Sequence, residues 1–175
     1  MITTDDYFTG PDGVRRDVVY SSELTPEILG NAQVTVDRWN LLLTHFYDEN
    51  PIAKRRRVNS GWRPKAINAA TPGAAPNSTH LLGEALDGSD ADRMLARWIL
   101  ANEWQALKFG TQSYAAQIGL WFEDFRTTPT WVHGAIVPPH SGSRIFIPSN
   151  DWAARLGGRV LTLQDLQTPL TTENV

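Results

Sequence analysis

A single amphipathic stripe most constrains this chain. Ile28, Ala32, Val36, Trp39, Leu43 and Phe46 recur at spacings of three and four, which places them on one face of a helix. The start is punctuated by Thr25 as an N-cap, Pro26 in the first turn and Glu27 near the positive helix end. The end falls between Asp48 and Pro51. A stripe of that length must be buried against another layer, so these residues read as core and not as a binding groove. A second helix is predicted from about Asp90 to Phe109, with Met94, Leu95, Trp98, Ile99 and Leu107 inward and Gly110 capping its end.

The last third has strand periodicity instead. Gly119 to Phe125 and Trp131 to Val137 flank a polar turn containing Pro129, the pattern of a hairpin. Arg144 to Ile147 is a third predicted strand after the Pro138-Pro139 break. Ala69 to Asn77 is a loop by its Ala, Pro, Gly and Asn content. The expected fold class is therefore α+β, with N-terminal helices packed on a small antiparallel sheet. At 175 residues the chain suits one domain spanning 1–175, with residues after about 168 polar and expected to fray.

Composition removes several functions. The net charge of −3 gives no global basic field for nucleic acid. No apolar run approaches the roughly 20 residues of a membrane span, and the polar start Met1 to Asp6 does not show the basic and apolar regions expected of a secretion signal. With no cysteine, disulfides and thiolate metal sites are excluded. The run Lys54 to Arg57 reads as a solvated face, with attraction of an anionic peptide as the alternative.

Three separated pieces carry the chemistry: Ser60-Gly61-Trp62-Arg63, Ser78-Thr79-His80 through Asp87, and Trp131-Val132-His133. Two histidines and an aspartate form a three-donor set, and hydrolytic zinc is usually held by three protein groups with the fourth position open. His80 and Asp87 lie seven apart, so a straight strand would send them to opposite faces and the chain must bend, with Gly83 the residue that permits it. Ala85 shares the parity of Asp87 and leaves space beside it. His45 and His140 have no comparable company and read as surface or packing residues.

In order and spacing these pieces resemble the zinc D-Ala-D-Ala carboxypeptidases and their phage endopeptidase relatives, which share a fold with lysostaphin and the hedgehog signalling domain. Ser78, His80, Gly83, Ala85 and Asp87 match the Ser-x-His-x-x-Gly-x-Ala-x-Asp signature, Ser60 to Pro64 with Asn68 the upstream motif, and Trp131 with His133 the closing one. The resemblance spans residues 58–137. It implies a hedgehog/DD-peptidase-like fold, Zn2+ on His80, Asp87 and His133, a substrate carboxylate held by Arg63, and Ser78 positioning substrate. The implied reaction is hydrolysis of an amide in the peptide stem of peptidoglycan, as a carboxypeptidase or an endolysin-type endopeptidase.

Lacking a signal peptide, the chain is expected to be made in the cytoplasm and to act on the cell wall after release or from a virion, as a phage or prophage lysis enzyme. A monomer is assumed. Many of these relatives carry an acid three residues before the last histidine, where this chain has Thr130. A hairpin turn centred on Thr128 pairs positions summing to 256, which sets Glu123 across from His133 on the same face and Asp124 on the other. Glu123 is therefore the expected catalytic base or partner of a ligand. Thr130 also motivates an alternative, a non-catalytic wall-binding or virion structural protein of the same fold. A plain α+β domain without metal is the third reading.

Overall fold

The computed structural model describes residues 1–159 and 161–162. Its elements are α1 (Thr4–Phe8), α2 (Arg16–Val19), α3 (Pro26–Glu49), β1 (Val58–Ser60), α4 (Lys65–Ala70), β2 (Ala85–Ser89), α5 (Met94–Phe109), α6 (Tyr114–Gln117), β3 (Trp121–Glu123), β4 (Trp131–Ala135), β5 (Ile145–Phe146) and α7 (Asn150–Arg155). The expected fraying after residue 168 lies outside the described residues.

The long helix forms for the reasons its sequence announces. Thr25 Oγ1 accepts the Ile28 N–H at 3.2 Å, Pro26 opens the first turn, and the helix closes at Asn50, whose N–H reaches the Phe46 carbonyl. All six stripe residues are buried. Thr35, inside the buried face, donates to the Gly83 carbonyl at 2.9 Å and ties the helix to the turn after His80.

The sheet has five strands in the order β1-β2-β4-β3-β5. It is mixed, which corrects the antiparallel expectation. β1, β2, β4 and β3 are antiparallel neighbours, but β5 runs parallel to β3, pairing Phe122 with Ile145 and Glu123 with Phe146. Connectivity explains the direction. Ala135 at the end of β4 lies opposite Trp121 at the start of β3, so a short link around the outside delivers β5 to the beginning of β3.

Two strands escaped the sequence reading. β2 is Ala-Leu-Asp-Gly-Ser and β1 is three residues with a register shift, compositions that strands ordinarily avoid. β2 is nevertheless paired on both sides, and its even positions, Leu86 and Gly88, are buried. Trp39 of α3 lies directly against this face. An added Cβ would stand 2.8 Å from its ring at Gly88 and 2.8 Å at Gly134 of β4, so the two glycines admit the indole. Odd positions, including Asp87 and His133, face the other way.

The hairpin has shorter strands than expected but the expected register, with Trp121 opposite Ala135 and Phe122 opposite Gly134. α5 begins at Met94 rather than Asp90. The buried Asp90 carboxylate instead accepts the N–H groups of Leu95 and Ala96 at 3.0 and 2.9 Å, after a turn with Arg93 in the left-handed region. Leu95 and Ile99 are buried, but Leu107 is 81% exposed. At 100° per residue Leu107 lies about 80° from Ile99, and Ala106 takes the inward place. Gly110 ends the helix with φ 66°.

The basic run is not uniformly solvated. Arg56 is buried, with Nη1 2.8 Å from Asp92, Nη2 3.4 Å from Asp90, and its guanidinium over the Phe46 ring; Lys54, Arg55 and Arg57 are exposed. The predicted loop begins later than expected, because Ala69 and Ala70 finish α4. One hydrophobic cluster runs from Ile2 to Leu161. Among the described residues, no helix is long and apolar enough to cross a membrane.

Candidate metal centre

His80, Asp87 and His133 come together with one donor atom from each lying within 4.8 Å of the others, and this group can hold a metal ion. The sheet supplies two of the three. Asp87 and His133 are direct register partners on β2 and β4, so their side chains rise side by side from the same face. His80 arrives from a 3-10 turn, Thr79–Leu82, that ends on Gly83 with φ 77°. That left-handed residue is the bend required between His80 and Asp87.

The upstream Ser-Gly-Trp-Arg segment forms a cradle for His80. The Gly61 carbonyl lies 2.7 Å from His80 Nδ1, the Arg63 N–H donates to the His80 carbonyl at 3.1 Å, and the Trp62 indole donates to the Leu81 carbonyl at 3.1 Å. A carbonyl only accepts, so Nδ1 carries the proton and Nε2 presents its lone pair to the cluster. Gly61 itself can carry no side chain, because a Cβ would stand 2.0 Å from the Tyr7 carbonyl oxygen. The fully buried Tyr7 donates its hydroxyl to the Ala85 carbonyl at 3.0 Å and fastens α1 over β2. No sequence pattern signalled Tyr7, because its partner lies 78 residues away.

Electrostatics inside the cluster are strongly coupled. His133 Nδ1 lies 2.8 Å from Asp87 Oδ1, and His80 Nε2 lies 3.4 Å from Asp87 Oδ2 and 3.3 Å from His133 Nδ1. Burial lowers the His80 pKa, against the pull of Asp87. Burial acts the same way on His133, but the Asp87 hydrogen bond and charge, with Glu123 adding, raise it overall. Burial alone would raise the Asp87 carboxyl, yet the two imidazoles hold it well below the usual carboxylate range.

Arg63 and Ser78 meet beside this cluster, with Nη2 donating to Oγ at 3.1 Å. The same hydroxyl lies 3.4 Å from the His80 N–H and caps its turn. Burial lowers the Arg63 pKa, partly offset by Asp87 and Glu123, and its Nε is buried without a hydrogen-bond partner. Glu123 ends β3 one step beyond the Phe122–Gly134 pair, and its charge is felt by both His133 and Arg63. Asp124 is buried on the other side, gripped by the Arg126 fork at 3.0 and 2.7 Å. Thr130 is exposed, and its carbonyl accepts the Asp90 N–H. His45 packs between Trp98 and Tyr114 near Glu49, and His140 is exposed.

No family model, curated protein or solved structure matches the chain.

Proposed function

We propose that the protein is a zinc-dependent peptidase of hedgehog/DD-peptidase-like fold that hydrolyses an amide in the peptide stem of peptidoglycan, as a phage or prophage lysis enzyme. The observation that carries the reading is an open three-donor cluster with a guanidinium beside it. Tetrahedral zinc with bonds of about 2.0–2.1 Å separates its ligand atoms by about 3.4 Å. His80 Nε2 stands 3.3 Å from His133 Nδ1 and 3.4 Å from Asp87 Oδ2, each close to that value, while the 2.8 Å contact of His133 Nδ1 is with the other carboxylate oxygen, Asp87 Oδ1. His80 also has the outer partner, the Gly61 carbonyl, that orients a metal-binding imidazole. The donor set of two imidazoles and one carboxylate leaves a position for reactants, as catalytic zinc sites do.

Zinc bound there supplies Lewis acidity at the scissile amide and a nucleophile at neutral pH. Arg63 grips a substrate carboxylate with its planar fork, and Ser78 holds that fork in place. Glu123 accepts a proton from the attacking water and returns it to the departing amine nitrogen, the work of a general acid–base.

The test is metal content and wall digestion measured together. Purified protein should carry about one zinc per chain, His80→Ala should carry none, and mass spectrometry of digested sacculi should show cut stem peptides. Stoichiometric zinc without any cut stem would instead favour the non-catalytic wall-binding or virion protein. A chain without zinc after metal-replete purification overturns the assignment.

A further inference from the structure

The turn between β3 and β4 contains a brace that the metal centre does not explain. Thr127 is 7% exposed, and its hydroxyl lies 2.6 Å from Glu123 Oε1 and 2.7 Å from the Asp124 carbonyl. Asp124 is itself immobilised on three sides. Its N–H donates to the Phe146 carbonyl at 2.8 Å, its carboxylate receives the Arg126 fork and the Arg126 N–H, and its carbonyl accepts the Thr127 N–H at 2.9 Å. A glutamate at the end of a strand has three rotatable bonds and would ordinarily sample several rotamers. Here one of its oxygens is held by a hydroxyl that is anchored to a fixed turn.

We infer that Thr127 is the positioning residue for Glu123, fixing Oε1 so that the other carboxylate oxygen is aimed for proton transfer at the metal centre. This rests on the peptidase reading above. A hydroxyl carries one proton and serves one acceptor at a time. While Glu123 is ionised, the charge-assisted bond to Oε1 is the stronger of the two available. Once Glu123 has taken the water proton on its free oxygen, Oε1 becomes a weaker acceptor and the Asp124 carbonyl, 2.7 Å away, is there to receive the hydroxyl. Thr127 thus keeps a partner throughout the proton cycle without moving its own backbone, and no heavy atom need rearrange during it.

The test compares Thr127→Val, which keeps the shape and removes the hydroxyl, with Thr127→Ser, which restores it. In the zinc-loaded protein acting on stem-peptide fragments, Thr127→Val should lower kcat by about tenfold to a hundredfold, the scale of a slightly misplaced catalytic group. KM and zinc content should stay at wild-type values, and Thr127→Ser should recover most of the loss. A second reading is independent of turnover: the 13C carboxylate resonance of Glu123 should move in Thr127→Val and stay close to wild type in Thr127→Ser. Wild-type kcat in Thr127→Val, or equal losses in the valine and serine variants, overturns the inference. If wild-type protein cuts no wall fragment, the peptidase reading fails on that result, while an unmoved Glu123 resonance in Thr127→Val separately refutes the contact.

Discussion

Gly134→Ala isolates the fit between α3 and the sheet. A methyl group at this position would stand 2.8 Å from Trp39 Cζ2 and 3.1 and 3.2 Å from two carbons of the Phe122 ring. Both rings are fully buried, so neither can swing into solvent to make room. Overpacking of this kind costs about 1–3 kcal/mol. Replacing glycine also removes freedom from the unfolded chain, which returns about 0.4–1 kcal/mol. The net expectation is a loss of about 1–2 kcal/mol, or a fall in Tm of about 2–8 °C for a chain of this size. Urea unfolding followed by far-UV circular dichroism should show a lower midpoint at unchanged m. In a Trp39→Phe background the closest contact is gone and only the 3.1 and 3.2 Å contacts with Phe122 remain, so the same substitution should cost clearly less, a coupling of about 1 kcal/mol. A Gly134→Ala protein as stable as wild type, or one that loses equally in both backgrounds, would refute the argument that Trp39 demands the glycine.

Chelation should destabilise the zinc-loaded protein: metal at a free concentration of 100 times its Kd contributes about 2.7 kcal/mol, so its removal should lower Tm by about 5–11 °C, read by scanning calorimetry. Arg63→Lys should keep zinc and lose turnover chiefly on substrates with a free carboxylate; equal losses on amidated and free-acid peptides would remove Arg63 as the anchor. Glu123→Gln should keep fold and metal while losing roughly two to four orders of magnitude in rate. Asp124→Asn should show the opposite pattern, near-normal kcat with reduced stability, because it strips the charge from the buried Arg126 pair.

Where local signals were redundant, the sequence was legible. α3 had a cap, a proline and a periodic stripe all agreeing, and every stripe residue is buried. The hairpin register followed from parity about the turn, and it puts Glu123 and Asp124 on different sides. The three motif pieces converge as a donor cluster with its Arg63–Ser78 neighbour. What escaped depends on partners distant in the chain. β2 is a strand because neighbours on both sides hold it, against the preference of its Asp and Gly. β5 runs parallel because of where β4 ends, which no window of residues around Ile145 contains. Arg56 looks like any member of a basic run until Asp90, Asp92 and Phe46 close around it.

The pairing of Asp87 with His133 makes the metal centre a reporter of strand alignment. If β4 slid by one residue so that Gly134 came opposite Asp87, His133 would move opposite Gly88, on the face where Trp39 packs, and a backbone-only glycine would stand where a donor is needed. A misaligned chain would therefore lose the donor cluster and bury a polar ring in the same movement. An ion bound by this cluster, as proposed, would bind only the aligned form and would draw the population toward it, so metal supply during refolding would favour the correct sheet.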